Sequence, residues 1–163
     1  IAGLTGSRRF VLQSVPDGWY LESFTVNGRD ALYAPFDFGL QEARFSDVEA
    51  VLSDAAAEMT GRALDARGEV ARAYTAIVFS TDRSHWFRES PRLRARRAST
   101  NGEFRIGNLP PGDYFVAVID PQSIGAFDAW QDPAFLEDLS SRAERLTLGE
   151  RETRRMTVRL DAR

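Results

Sequence analysis

The chain has 163 residues, of which 43% are hydrophobic and 28% are charged, and its formal net charge is −3. This length and composition are typical of one or two globular domains and exclude a largely disordered chain. The slight acidic excess argues against a nucleic-acid-binding protein, which usually carries a basic surface. No apolar run approaches the roughly 18 residues of a membrane-spanning helix, so we expect no membrane insertion.

Missing residue types exclude several kinds of chemistry. Without Cys the chain has no disulfide, thiolate nucleophile or cysteine metal ligand, and without Lys it has no P-loop or Schiff-base lysine. The single histidine, His85, cannot form a multi-histidine zinc site. Its neighbours Asp82 and Ser84 do not converge on the imidazole of an extended segment, which argues against a catalytic triad. We therefore expect no enzyme activity, no cofactor and no metal ion.

Short apolar runs separated by turn residues predict an all-β fold. In the first third of the chain, strands are predicted over residues 9–15, 19–26 and 48–52. Pro16-Asp17-Gly18 and Asn27-Gly28 provide the turns. In the strand 48–52, alternation places Val48, Ala50 and Leu52 on one face.

A second set of strands is predicted over residues 59–64, 73–79, 93–99, 103–106, 114–119 and 153–160. The run 114–119 is continuously apolar, which is typical of a central strand. Leu109-Pro110-Pro111-Gly112 predicts a sharp corner before it.

One helix interrupts the strands. Asp132 is a suitable N-cap and Pro133 suits the first helical position. Apolar residues then recur at positions 135, 136, 139 and 143, which is helical spacing. The sequence therefore predicts a short amphipathic helix over 133–145 that lies against the sheets.

The two halves of the chain repeat at an offset of 94 residues. Residues 15–20 and 109–114 share the pattern apolar-Pro-x-Gly-x-Tyr, and the closing strands 48–52 and 156–160 are matched at a slightly different offset. The repeat predicts tandem modules, with the C-terminal part of a first module in 1–55 and a complete module in 56–163. Because the first module lacks its leading strands, we expect it to be part of a longer chain or to be completed by another chain.

The second half resembles the carboxypeptidase regulatory-like domain, a transthyretin-like (prealbumin-like) β-sandwich. The resemblance covers roughly residues 58–160. Its motifs are Thr60-Gly61-Arg62-Ala63-Leu64-Asp65-Ala66-Arg67-Gly68, the apolar strand 73–79, Asn101-Gly102-Glu103-Phe104 and Leu109-Pro110-Pro111-Gly112-Asp113-Tyr114. The resemblance implies tandem immunoglobulin-like or transthyretin-like sandwiches, the first incomplete. It also implies a non-catalytic role and an extracellular, cell-surface or periplasmic location.

Two surfaces are candidates for ligand or partner binding. Arg92, Arg94 and Arg96 alternate along a predicted strand and either bind an anionic group or form a solvated face. Aromatic residues in predicted loops either form a stacking platform or plug the end of the sandwich. The candidate residues are His85, Trp86, Arg92, Arg94, Arg96 and Trp130.

We therefore predict a non-catalytic structural or interaction module that assembles by strand addition or end-to-end contacts. The alternatives are a module that binds carbohydrate or an anionic polymer, and an accessory domain of an enzyme whose catalytic domain lies outside this chain. The expected partners are other domains of a longer chain or copies of itself, and not nucleic acid.

Overall fold

Strands dominate the computed structural model, which describes residues 5–39, 47–124 and 129–161. The strands are β1 (Ser7–Arg8), β2 (Tyr20–Val26), β3 (Arg29–Asp30), β4 (Phe36–Asp37), β5 (Val48–Ser53), β6 (Ala57–Leu64), β7 (Thr75–Ser80), β8 (Leu93–Arg97), β9 (Glu103–Leu109), β10 (Gly112–Ile119), β11 (Glu144–Leu148) and β12 (Thr153–Asp161). The helix α1 spans Pro133–Ser140. Among the helices of the described residues, none has the length and hydropathy to cross a membrane.

A β-sandwich occupies the second part of the chain. Its strand order is β8-β7-β10-β12-β6-β9, with β11 added beside β10. The strands β12, β6 and β9 form one layer, and β8, β7, β10 and β11 form the other. A short parallel pairing of β10 with β12 joins the layers. The core between them is apolar and includes Met59, Tyr74, Val78, Phe104, Ile106, Tyr114, Val116 and Val158.

The helix covers the outer face of β7 and β10. Leu136 and Leu139 of α1 are fully buried and pack with Ile77 and Phe79 of β7. The strand β7 therefore has apolar neighbours on both faces and all six of its residues are buried. This explains why residues 76–79 are continuously apolar rather than alternating.

The first part of the chain forms a smaller sheet with the order β3-β2-β5. Asn27 and Gly28 connect β2 to β3 with φ values of 50° and 70°, which is the left-handed geometry that an Asn-Gly hairpin turn requires. An aromatic cluster of Phe10, Phe24, Phe36 and Phe38 packs over Val26 of β2. This sheet thus has its own small core.

The structure corrects the prediction of a strand over 9–15. Only Ser7–Arg8 pairs, with β4. Residues 10–15 have no regular secondary structure, and no backbone group of theirs pairs with another described backbone group. A short apolar run alone does not make a strand, because a ladder also requires a neighbouring strand with free backbone groups.

The predicted helix over 133–145 is too long. It ends at Ser140, and the residues that follow form the strand β11, which pairs antiparallel with β10. The free edge of β10 offers backbone partners to this segment, and this tertiary pairing prevails over local helical spacing.

The strand pairing also changes which strands of the two repeated modules correspond to each other. β5 runs antiparallel to β2, as β11 runs antiparallel to β10, whereas β12 runs parallel to β6. In topology the counterpart of β5 is therefore β11, and not the strand 156–160 that the sequence repeat suggests.

Candidate interaction surface

The predicted ligand residues His85 and Arg92 lie in a contact between the two parts of the chain. The rings of Tyr33 and His85 have centroids 4.4 Å apart. Arg92 Nε donates to the Tyr33 hydroxyl at 3.2 Å, and its Nη1 donates to the Pro111 carbonyl at 2.9 Å and to the Tyr114 hydroxyl at 3.3 Å. Arg92 therefore connects the start of β8 with the Pro-Pro-Gly corner and with the first part of the chain. Its guanidinium N–H groups are used in hydrogen bonds within the protein.

His85 is held by a short turn with its own cap. The 3-10 turn Arg83–His85 begins at Asp82, whose carboxylate accepts from the Ser84 backbone N–H at 2.9 Å. The His85 Nδ1 lies 3.1 Å from the Ser80 hydroxyl. Burial lowers the pKa of His85 and outweighs the opposing effect of the Asp82 charge. The neutral imidazole is thus the form that this contact favours.

The two tryptophans do not form an exposed stacking platform. Trp86 is 6% exposed, and its indole N–H donates to the Ser80 carbonyl at 2.7 Å. Trp130 is partly buried against the same cluster as Leu136 and Leu139. The structure therefore places Trp86 in the core and corrects its assignment to a ligand surface. Both tryptophans pack against the sandwich, which agrees with the alternative that the loop aromatics plug its end.

Arg94 and Arg96 lie on the edge strand β8. They stand opposite Val78 and Ala76 of β7, so their side chains leave the strand on the side of the sandwich core. Arg94 is half-buried, and its Nη1 donates to the carbonyls of Ser90 (2.9 Å) and Leu93 (3.2 Å). Among the described residues it has no carboxylate within salt-bridge distance. Burial lowers its pKa, because the charged form is poorly solvated there.

A cavity of about 520 Å³ opens next to these arginines, and we call it the slot. One side is segment 10–15, and the other is formed by residues of the edge strands β8 and β9. Arg94, Arg96 and Arg105 line it together with apolar side chains. Those apolar residues are Phe10, Val11, Leu12, Leu21, Leu32 and Ile106.

Asn108 connects the two sides of the slot at one end. Its Oδ1 accepts from the Gly18 backbone N–H at 3.0 Å, and its Nδ2 donates to the Pro16 carbonyl at 3.2 Å. Sequence reasoning missed this residue and Tyr33, since both act across more than 50 positions of the chain. A weak signal existed for Asn108, because asparagine tolerates the left-handed φ of 58° that it adopts.

The second exposed feature is the apolar strip, formed by Val48, Ala50 and Leu52 on β5. Val26 and Val48 are directly opposite in the β2–β5 ladder and project from the same face. Val26 is 1% exposed beneath the aromatic cluster, whereas Val48 is 54% and Leu52 is 45% exposed. Within the described residues, the aromatic cluster therefore covers this face at β2 and leaves it exposed at β5. Among the described strands, β5 pairs only with β2.

The chain is thus an all-β protein with one β-sandwich and a partly covered second sheet. No family model matches it, and no curated protein matches it. Three solved structures are similar in part. They are the Bacillus anthracis TIE protein (14% identity, 73% of this chain and 19% of that one, TM-score 0.40), a Streptococcal ancillary pilin (17%, 89% and 45%, 0.41) and catechol 1,2-dioxygenase from Acinetobacter sp. ADP1 (13%, 64% and 52%, 0.36).

This chain spans between 19% and 52% of the length of these solved structures. The likenesses are too distant to assign a function. Within residues 5–39, 47–124 and 129–161, no group of three or more His, Cys, Asp or Glu side chains is placed to hold a metal ion.

Proposed function

We propose that this chain is a non-catalytic structural module of a secreted or cell-surface protein, and that it joins a neighbouring copy through its first sheet. Residues 1–55 are the later part of one sandwich module and residues 56–163 are a second module. The observation that carries the proposal is the apolar strip, which lies on β5, a strand that pairs on one side only among the described strands.

Burying this strip is favourable for two reasons. Val48 and Leu52 are about half exposed, and covering apolar side chains is worth about 25 cal/mol per Å². An added strand also pairs with the free edge of β5, which is the strand-addition mode of recognition. Natural proteins seldom leave such an edge open, because it recruits other strands.

Light scattering beside intact-mass spectrometry tests the proposal. We expect particles built from several 18.3 kDa chains, with a mass that rises with concentration. The double variant Val48→Lys/Leu52→Lys places charges on the strip and is expected to remain a single chain. Val70→Thr is the matched control, because Val70 is an exposed apolar residue at 38% that lies outside the strip.

Two outcomes contradict the proposal. One is a wild-type chain that stays at the mass of a single chain at every concentration. The other is an assembly that the lysine variant does not weaken although its circular dichroism spectrum is native.

A further inference from the structure

The slot differs from the apolar strip in its charge. Its lining combines apolar side chains with three arginines. Arg105 is bound by Glu58, with Nη2 and Oε2 2.6 Å apart. Arg94 donates only to backbone carbonyls, and Arg96 forms no ion pair with the described residues. The slot therefore holds two guanidinium groups that form no ion pair with the described part of the chain.

Two further carboxylates line the slot. Asp17 and Glu89 are exposed, and neither forms an ion pair with Arg94 or Arg96, although the charge of Glu89 partly offsets the effect of burial on Arg94. Burying a charge without a paired partner is unfavourable, so a half-buried arginine beside open space favours an anion from outside. A guanidinium binds a carboxylate with two parallel N–H donors, which suits this group in particular.

The backbone on both sides of the slot also lacks protein partners. Segment 10–15 makes no backbone hydrogen bond with the described residues. The edge strands β8 and β9 each pair with one described neighbour, β7 and β6 respectively. An extended peptide placed between them has free N–H and C=O groups within reach on either side. A volume of about 520 Å³ lies within the roughly 300–1,000 Å³ of ordinary ligand sites.

We propose that the slot binds an extended peptide that carries an acidic side chain between apolar ones, and that Arg94 and Arg96 pair with its carboxylate. The apolar side chains of the peptide contact Val11 and Leu12, which are exposed in the slot, and its backbone pairs with segment 10–15. The inference rests on the proposed function, because it specifies the chemistry of a partner that such a module recognises. It concerns a different surface from the apolar strip.

Fluorescence anisotropy with a labelled peptide of alternating valine and threonine and one central glutamate tests the inference. The same peptide with glutamine in place of glutamate is the control ligand. We expect the glutamate peptide to bind about tenfold or more tightly, since one charge-assisted contact is worth at least that factor. Hydrogen exchange should then show new protection of the amides of residues 10–15.

The matched variants are Arg94→Gln, Arg96→Gln and Arg97→Gln. Arg97 neighbours Arg96 on β8 but is opposite Thr75 and projects from the other face. We expect the first two to abolish the preference for glutamate and Arg97→Gln to leave it unchanged. Because Arg96 is exposed, Arg96→Gln should fold normally even where Arg94→Gln does not.

Several results overturn the inference. They are equal binding of the two peptides, binding that Arg96→Gln leaves unchanged, and no binding at all. Capture of a sulfated polysaccharide in place of the peptide, with the same dependence on Arg94 and Arg96, also overturns it in favour of an anionic polymer. The proposed function is tested separately, since self-association is measured without peptide and depends on Val48 and Leu52.

Discussion

At the scale of single residues, Thr75 has an unusual environment. It is the first residue of β7 and is 4% exposed, and its hydroxyl has no hydrogen-bond partner among the described residues. A buried hydroxyl without a partner has lost its hydration and gained nothing in exchange. Threonine at this position therefore lowers stability relative to an apolar residue of the same shape.

We expect Thr75→Val to raise the free energy of unfolding by about 1 kcal/mol, because valine removes the unpaired hydroxyl and keeps the volume. Chemical denaturation in urea measures the change. Thr75→Ser is the control, since it keeps the hydroxyl and removes a methyl group, and it should be less stable than wild type. A valine variant that is less stable than wild type would show that the hydroxyl is satisfied.

Arg92 and Arg96, at the start and the end of the alternating arginine series, have different environments. Sequence reasoning identified their alternation and offered anion binding or a solvated face as interpretations. The structure places Arg92 in hydrogen bonds to Tyr33, Pro111 and Tyr114, whereas Arg96 is exposed. The difference arises because the Pro-Pro-Gly corner lies beside the first residue of the series and not beside the last. No local pattern carries that information.

At the scale of elements, the helix start was predictable and its end was not. The Asp132 carboxylate accepts from the Ala134 backbone N–H at 2.8 Å, and Pro133 occupies the first helical position, as predicted. These are local interactions within three residues of sequence. The end of α1 depends instead on β11 pairing with β10, which lies about 30 residues earlier in the chain.

We expect Asp132→Ala to destabilise the protein by about 1 kcal/mol through the loss of the cap. Thermal unfolding followed by circular dichroism measures the effect. Asp132→Asn keeps an acceptor oxygen for the Ala134 N–H and should retain nearly all of the stability. If the alanine and asparagine variants lose the same amount, the cap is not the source of the effect.

The exposed face of the edge strand β5 also depends on long-range contacts. Residues 48–52 alternate as predicted, and Val48, Ala50 and Leu52 share a face. That face is nevertheless exposed, since the described residues that cover β2 do not extend over β5. Alternation identifies which side chains share a face, but the element that covers them lies elsewhere in the chain or in another chain.

At the scale of the whole molecule, the burial of His85 beside Tyr33 predicts that the stability of the protein depends on pH. The neutral imidazole is favoured in the folded state, so folding lowers the pKa of His85 below its unfolded value. Such a group contributes stability above its unfolded pKa of about 6.5. That contribution is lost as the pH falls through the folded pKa.

We expect the free energy of unfolding of wild type to fall more steeply than that of His85→Gln between about pH 7 and 5. The charged and titratable groups around His85 are Asp82, Arg92, Asp30 and Tyr33. All four remain in the variant, so their titration largely cancels in the difference between the two proteins. Urea denaturation at each pH measures the free energy of unfolding of both proteins. A difference that does not change with pH would contradict this role of His85.

The amino-acid sequence by itself determined the all-β class, the turns at Asp17-Gly18 and Asn27-Gly28, most of the strands and the start of the helix. These features depend on backbone preferences and on side-chain periodicity within about ten residues. The absence of Cys and Lys and the single histidine likewise excluded disulfides, a P-loop, a Schiff-base lysine and a multi-histidine zinc site from the sequence alone.

Only the tertiary structure decided that residues 9–15 lack a partner strand within the described part of the chain, that residues 144–148 form β11, and that Trp86 lies in the core. It also decided that Arg94 lines an open slot whereas Arg92 is bound within the fold. Each of these outcomes depends on which backbone edge or apolar surface meets a segment from a distant part of the chain. Sequence periodicity specifies the face of a strand, and long-range contacts specify what covers that face.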